Sequence, residues 1–373
     1  MAFGVRILTI GSAEPVPNSD RLSVFGILGY KAVSANLEDG SPRFAAGERV
    51  VYVPEGSHVP EALLREHGFW GVHPQFQREM GLLSGSNGDV VKPLTLRGQM
   101  STGLLWKLPD HLSHLPDTTD VAGDFGISEW IPPVPAELLA IAMPITAARL
   151  NYEIGRLKMY PNLLVGKEVV VTEKLEGECL QMTWLGGDRV EGCHGDGHIA
   201  VTTKGLGRQG LAFRDVEAAR RVPIIRGMER AGLIDGVKRI IKDLDLRDRK
   251  VRILSEAIGG GVKKLHYGEA TPTARLIDIR VDNRWLPEEE RAEAFAMSGV
   301  ERAPLLWRGQ FDPERIEELR QGQTTLNDKH IREGVVVGST GEQDKIHTEL
   351  GDNIRPLLKA HSDAFLKKFG KDD

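Results

Sequence analysis

Residues 169–184 read VVVTEKLEGECLQMTW. Val169, Val170 and Val171 are a β-branched apolar run, Gly177 is a break, and a second apolar run follows from Cys179 to Trp184. The stretch therefore reads as strand, tight connection, strand. Lys174 stands where the first strand ends, with Glu173 and Glu176 on either side. A solvated salt-bridge edge is one explanation, and surface charges are mostly of that kind. A lysine whose amine acts as a covalent nucleophile is the other.

The pattern of this stretch returns through the second half of the chain. Apolar strands end in a charged residue followed by glycine or a small residue at Lys174-Leu175-Glu176-Gly177, Thr203-Lys204-Gly205, Glu256-Ala257-Ile258-Gly259 and Glu333-Gly334. Charges at strand ends of a mixed sheet can converge on one cleft. Two lysines and two glutamates there suit a nucleotide phosphate chain and a divalent cation, because hard cations take carboxylate oxygens and lysine is a point charge for phosphate.

Strands alternate with helices in this half. PEEERAEAFAMSG and DPERIEELRQG have acidic first turns, and Asp312-Pro313 reads as a cap followed by a first-turn proline. Residues 214–250 read as helices with a basic stripe. The tail NIRPLLKAHSDAFLKKFG has helical spacing of Leu357, Leu358, Phe365 and Leu366 with lysines near its end, which predicts a helix there.

Residues 1–108 differ in character. Short apolar or alternating runs such as VRILTIGSAEPV and RVVYVPEGSHVP are punctuated by turn-formers at Asn18-Ser19-Asp20, Asp39-Gly40-Ser41-Pro42 and Gly85-Ser86-Asn87-Gly88-Asp89. Regular short strands with one helix, around PEALLREHG, predict a small closed barrel, of which the OB-fold is one case. The prolines of IPPVPAELLA mark a linker or crossing segment. The expected architecture is α+β: an OB-type β-barrel over 1–120, a linker over 121–150 and a mixed-sheet domain over 151–373.

The totals set bounds. The chain has 373 residues, 40% hydrophobic and 27% charged, which fits two ordinary globular domains. No apolar run approaches the roughly 20 residues of a membrane span, and MAFGVRILTIGS lacks a secretory pattern. Cys179 and Cys193 make no disulfide framework, so a reducing cytoplasm is expected. A net charge of −5 means that any nucleic acid must be held in a local groove. Cys193, His194 and His198, with Cys179 upstream, lack the spacing of a structural zinc set, and Gly195-Asp196-Gly197 reads as a hairpin turn. Ile258-Gly259-Gly260-Gly261 lacks the strand–turn–helix setting and the Lys-Ser/Thr of a phosphate loop.

Order along the chain adds a resemblance. KLEG at 174–177, TKG at 203–205, LSEAIG at 254–259, LIDI at 276–279, EGVVV at 333–337 and LLKAHSDAFL at 357–366 resemble, in sequence, the motifs of the covalent nucleotidyltransferases: ATP-dependent DNA and RNA ligases and mRNA capping enzymes. The KLEG pattern alone is common; the ordered six carry the likeness. The N-terminal runs, with LRGQMSTGLL, look like the OB-type domain that precedes the transferase domain in one branch of ATP-dependent RNA ligases. In DNA ligases and capping enzymes that module follows.

The resemblance implies an ATP-grasp-like ligase domain and three in-line phosphoryl displacements. Lys174 takes AMP from ATP, AMP passes to a 5′-phosphate end, and a 3′-OH seals the strand. It implies an ATP site at Glu173, Lys174, Leu175, Glu176, Lys204, Glu256, Ile277, Glu333 and Lys359. Magnesium or manganese would be held by Glu256 and Glu333, and Glu173 would face the adenine amino group. A lysine is nearly all ammonium at neutral pH and an ammonium has no lone pair. The reaction therefore needs neighbouring cations, desolvation or a hydrated metal ion, and Glu176 is expected to face ribose or metal-bound water rather than the amine. Three letters depart from the pattern: Glu176 for the commoner aspartate, Ile277 for an aromatic that stacks on the base, and His361 for a lysine. Arg97 and Gln99, with Ser101, lie on a turn that either touches the 3′-OH strand or is merely a hairpin. The implied partner is a nicked duplex containing RNA; neither a membrane nor a protein partner is inferred. A DNA ligase, a GTP-using capping enzyme and a non-catalytic nucleic-acid-binding protein remain alternatives.

Overall fold

The computed structural model describes residues 3–17, 19–72, 75, 77, 79–81, 83, 89–131, 133–149, 152, 154–341, 343–348 and 353–369. Asn18, the turn over Gly85–Gly88 and His73 lie outside the described residues. The chain forms two compact units, residues 1–131 with 347–352 and residues 132–346 with 353–371.

In the first unit β1 (Arg6–Thr9), β2 (Ser12–Pro15), β3 (Leu22–Ile27), β4 (Tyr30–Ala35) and β5 (Arg49–Pro54) precede the short helix α1 (Glu61–Glu66). Strands β6 (Leu94–Leu96), β7 (Gln99–Ser101) and β8 (Gly103–Lys107) follow. The sheets run β1-β5-β8 and β2-β3-β4, with β6-β7 as a separate ribbon. The apolar run at β5 lacks alternation because both of its faces are covered. Val51 and Val53 pack with Ile7 and Trp106, whereas Val50 and Tyr52 pack with Leu8, Phe25 and Leu105. Among the described residues these sheets do not join into the closed barrel expected from the sequence. Strand β5 has a core on each face, so the unit is layered about it. The β6–β7 turn is Arg97-Gly98, both left-handed at φ 51° and 83°. Two such residues in a row define the hairpin turn whose twist matches the flanking strands.

Among the described residues the second unit holds two large sheets. The seven-stranded sheet runs β9 (Ala142–Pro144), β14 (Leu211–Phe213), β13 (Ile199–Thr203), β12 (Glu178–Leu185), β15 (Lys250–Ile258), β16 (Thr273–Val281) and β17 (Arg284–Trp285). The five-stranded sheet runs β10 (Gly155–Arg156), β20 (Leu357–His361), β19 (Gly334–Ser339), β11 (Glu168–Lys174) and β18 (Leu305–Gln310). Between strands lie α2 (Lys204–Arg208), α3 (Pro223–Arg230), α4 (Leu233–Asp243), α5 (Glu288–Ser298) and α6 (Pro313–Arg320), and α7 (Asp363–Phe369) follows β20. Helices α3, α4 and α5 bury Ile225, Met228, Ile240 and Phe295 against Leu180, Met182, Ile253 and Ile279 of the larger sheet. Each such side chain removed from water contributes about 1.5–3 kcal/mol. The Asp312 carboxylate caps α6 as its sequence predicts, accepting from the amides of Glu314 at 3.0 Å and Arg315 at 3.3 Å.

The tail corrects the helical reading. Leu357–His361 is a strand, paired antiparallel with Gly334–Gly338 and parallel with Gly155–Arg156; only Asp363–Phe369 is helical. Leu357, Lys359 and Ala360 tolerate either conformation. Partners about 20 and about 200 residues earlier supply the hydrogen bonds that decide it, as tertiary context overrides propensity.

Candidate active site

Strand β11 delivers Lys174 to the edge of a pocket of about 670 Å³, lined by Lys174, Leu175, Glu176, Gly177, Glu256 and Glu333 together with Gly261, Val262, Lys263, Lys264 and Phe369. The strands explain this convergence. Lys174 lies opposite Gly334 in the β11–β19 ladder, so Glu333 enters β19 beside it. Across the connection, Glu178 pairs with Ala257, which sets Glu256 one residue away on β15. Gly177 closes the approach: a Cβ there would run into the Ala257 carbonyl oxygen and lie 2.7 Å from Glu256 Cγ. Gly334 is likewise pressed on β20, its would-be Cβ 2.7 Å from His361 Cα. The glycines of KLEG and EGVVV are thus contacts between strands. A Gly177→Ala protein should lose about 1–3 kcal/mol of stability, read as a lower thermal midpoint, because backbone rather than a flexible side-chain end must move.

Lys174 Nζ donates to Glu333 Oε1 at 2.7 Å. Glu333 is 3% exposed and its Oε2 has no hydrogen-bond partner among the described residues. His361 Nε2 stands 3.7 Å from Glu333 Oε1, and its ring stacks on Phe365 at 5.9 Å between centroids. His361 therefore belongs to the end of a strand facing the carboxylate, not to a helix surface. Burial pushes the Glu256 carboxyl up to about 8; Lys174 draws it down, and Glu333 and Glu178 push it further up. The buried Glu256 carboxyl thus resists carrying a charge until a cation meets it. Glu176 Oε2 accepts from the Leu265 amide at 3.3 Å, and the Glu176 amide donates to Tyr267 Oη at 2.5 Å.

Glu173 is 1% exposed; its Oε2 accepts from the Thr325 amide at 2.9 Å and hydroxyl at 2.8 Å, and its Oε1 has no hydrogen-bond partner among the described residues. By strand alternation it points to the face opposite Lys174. Leu175 is buried with Ile258, Leu265, Tyr267 and Phe365, and Ile277 packs on that cluster. Ile277 is the extra residue of a β-bulge, between Leu276 paired with Ser255 and Asp278 paired with Leu254. A bulge re-aims a side chain, here onto the Leu175 cluster. Lys359 lies across from Val336 on the face shared with Thr172 and Lys174. Lys204 opens α2, exposed, at the end of β13. Glu173, Lys204, Ile277 and Lys359 are not in the pocket wall. Arg97 is exposed at a hairpin tip, and Ser101 is buried, its hydroxyl accepting from the Val33 amide at 2.9 Å. Gln99 is half-buried, its Nε2 3.4 Å from the Met100 carbonyl oxygen. Sequence reasoning missed Lys263, Lys264 and Phe369; the run of glycines before the lysine pair was the available signal.

The RNA ligase family model matches residues 167–361, more than half of the chain and every pocket residue except Phe369. The chain belongs to the RNA ligase family. No protein with a curated description matches this RNA ligase. Among solved structures it is similar to an RNA ligase of Naegleria gruberi with PPi, at 21% identity over 99% of each chain and a TM-score of 0.65. A lysine-to-methionine mutant of that enzyme with AMP and Mn matches at 21% identity over 98% of each chain, TM-score 0.64. A lysine-to-alanine mutant with ATP and Mn matches at 21% identity over 98% of each, TM-score 0.63. At this identity the likeness is one of fold. Among the described residues of the ligase, no helix is long and apolar enough to cross a membrane.

Proposed function

We propose that this ligase joins 3′-OH and 5′-phosphate ends with ATP, through an AMP carried covalently on Lys174, and that its substrate is a nick with RNA on the 3′-OH side. The observation that supports this most is the meeting of Lys174, Glu256 and Glu333 in one pocket with a buried carboxylate oxygen left unbonded. In the first step the Lys174 amine, freed of a proton that passes to Glu333 Oε1 or to water, attacks the α-phosphorus. The N–P bond forms, the bond to the β-phosphate oxygen breaks, and pyrophosphate leaves with the electron pair. Positioning and charge neutralisation carry such a displacement. Residues 1–120 act as an OB-type module that holds the nucleic acid, with exposed Arg97 and neighbouring Gln99 against the 3′-OH strand. Residues 121–150 link it to the transferase residues 151–373.

A divalent cation fits the donor set. Magnesium and manganese are held by one or two carboxylates with waters and phosphate oxygens completing the shell. Glu256 and Glu333 supply two, one raised by burial and one with an unbonded oxygen. Bound there, the cation would neutralise phosphate charge and compete with the amine for Glu333.

The test is sealing of matched nicks that differ only in ribose or deoxyribose on each side, with ATP or GTP. Sealing that is ATP-dependent and fastest with ribose at the 3′-OH end is expected; GTP preference or indifference to ribose would sink the assignment. A second result concerns Glu256. Its folded carboxyl is raised from the ordinary 4.5 to about 8, so the stability tied to its protonated form is complete below 4.5 and lost as pH rises through about 8. Without metal, Glu256→Gln should therefore gain on the parent between pH 5 and 8.5, by on the order of 2 kcal/mol once the pocket's solvent is allowed for. Manganese should raise the parent's thermal midpoint more at pH 8 than at pH 6, and that of Glu256→Gln little at either.

A further inference from the structure

We infer that Lys263 and Lys264 hold the β- and γ-phosphates of the nucleotide and the pyrophosphate that leaves, an assignment that rests on the ATP reading of this pocket. The pocket wall carries three lysines, Lys174, Lys263 and Lys264, and three glutamates, Glu176, Glu256 and Glu333. Lys174 is bound to Glu333. Among the described residues neither Lys263 nor Lys264 has an ion-pair partner; Lys264 lies with Nζ 5.7 Å from the centre of the Phe369 ring, itself part of the wall. Lys263 is close enough for its charge to act on Glu256. The two exposed ammonium groups are thus the cations of the wall that no carboxylate engages.

Their placement is built by the glycine run that fails as a phosphate loop. Gly259 and Gly261 are left-handed, at φ 103° and 87°. A Cβ at 259 would stand 2.6 Å from the Thr271 carbonyl oxygen, and one at 260 would run into the Ala270 carbonyl oxygen. The Gly260 amide donates to the Glu269 carbonyl at 2.9 Å. The run therefore leaves β15 two residues after Glu256, lies flat on residues 269–272, and presents Val262, Lys263 and Lys264 to the pocket. No helix follows, so no backbone cradle forms; paired side-chain charges replace it.

Polyphosphate is the ligand those charges suit. Each lysine is a compact point charge on a flexible stem, matched to phosphate oxygens whose positions shift as the leaving group departs. When the bond to the α-phosphorus breaks, the electron pair stays on the pyrophosphate oxygen, and cations already in place stabilise that developing charge without reorganising. The acidic part of the wall repels it. AMP, which lacks the outer phosphates, gains nothing from the pair.

The experiment compares the parent with Lys263→Ala/Lys264→Ala and Lys263→Arg/Lys264→Arg. Measured are the ATP dependence of labelled-AMP attachment, its reversal by inorganic pyrophosphate, and sealing of a nick whose 5′ end already carries AMP. The alanine protein should need ~10–100-fold more ATP, or attach AMP that much more slowly, and respond as weakly to pyrophosphate, with the arginine protein partly restored. Sealing of the pre-adenylylated nick should stay within ~3-fold of the parent, a split that a merely misfolded protein would not give. Unchanged ATP and pyrophosphate dependence would overturn the assignment. So would loss confined to the pre-adenylylated nick, which would place the lysines on nucleic acid. A parent protein that takes no label from ATP would instead sink the ATP reading itself.

Discussion

Lys174→Ala protein incubated with α-labelled ATP and manganese should carry no label, a loss of at least ~10³-fold in attachment rate, because the atom that bonds to phosphorus is gone. Lys174→Arg should be equally inert. A guanidinium can still pair with Glu333, yet it stays protonated and has no free lone pair to offer. The two variants together separate charge from nucleophilicity. If Lys174 served only to neutralise Glu333, which it meets at 2.7 Å, arginine would restore activity and alanine would not. Alanine also leaves Glu333 buried without its cation, a cost of about 1–3 kcal/mol, so thermal midpoints must accompany the labelling. A nick that already carries AMP bypasses this step, and both variants should still seal it. Label on the alanine protein would move the nucleophile elsewhere.

The sequence made part of this site readable. KLEG, LSEAIG and EGVVV each combine an apolar strand, a charge at its end and a glycine, and those features report geometry directly: the charge reaches the pocket because the glycine lets two strands close on it. Lys263 and Lys264 carry no such mark. The glycine run before them hints at a loop, but their importance comes from its lying on residues 269–272, a long-range placement that the glycines alone do not reveal. The strand Leu357–His361 was hidden for the same reason, since its partners are Gly334–Gly338 and Gly155–Arg156. In the first unit, apolar runs such as RVVYVP identified strands correctly but did not say that both faces of β5 would be covered, which is what sets a layered arrangement apart from a closed one. LIDI drew notice to Ile277 as a base-stacking position; its aspartate, Asp278, is where two buried ion pairs converge.

That convergence has a measurable consequence. Asp278 is fully buried, and its Oδ2 accepts from Arg355 Nη1 at 2.5 Å and from Tyr152 Oη at 3.1 Å, while Oδ1 lies 3.4 Å from Arg291 Nη1. Arg355 also donates to Gln343 Oε1 at 2.9 and 3.1 Å and lies 4.2 Å above the Trp285 ring. Arg291 is bonded to Glu288, which holds Arg302 at 2.9 Å. Burial alone would raise the Asp278 carboxyl, but Arg355 and Arg291 outweigh it and hold the group below its ordinary range. Asp278→Ala leaves Arg355 without the one carboxylate that pairs with it among the described residues, so it should cost about 3–5 kcal/mol. Arg355 stands two residues before β20, so the same change should loosen the strand that carries Lys359 and His361, seen as faster amide exchange over Leu357–His361. Asp278→Asn keeps the shape and some hydrogen bonds and should cost less. The acid limb supplies the sign: a carboxyl held below its unfolded value stabilises above that value and loses its contribution as pH falls through the folded one. The parent should therefore lose stability on acidification below about pH 4 more steeply than Asp278→Asn. Equal acid limbs, or an alanine variant within ~1 kcal/mol of the parent, would mean that the two arginines find other partners and that Asp278 does not hold the sheets together.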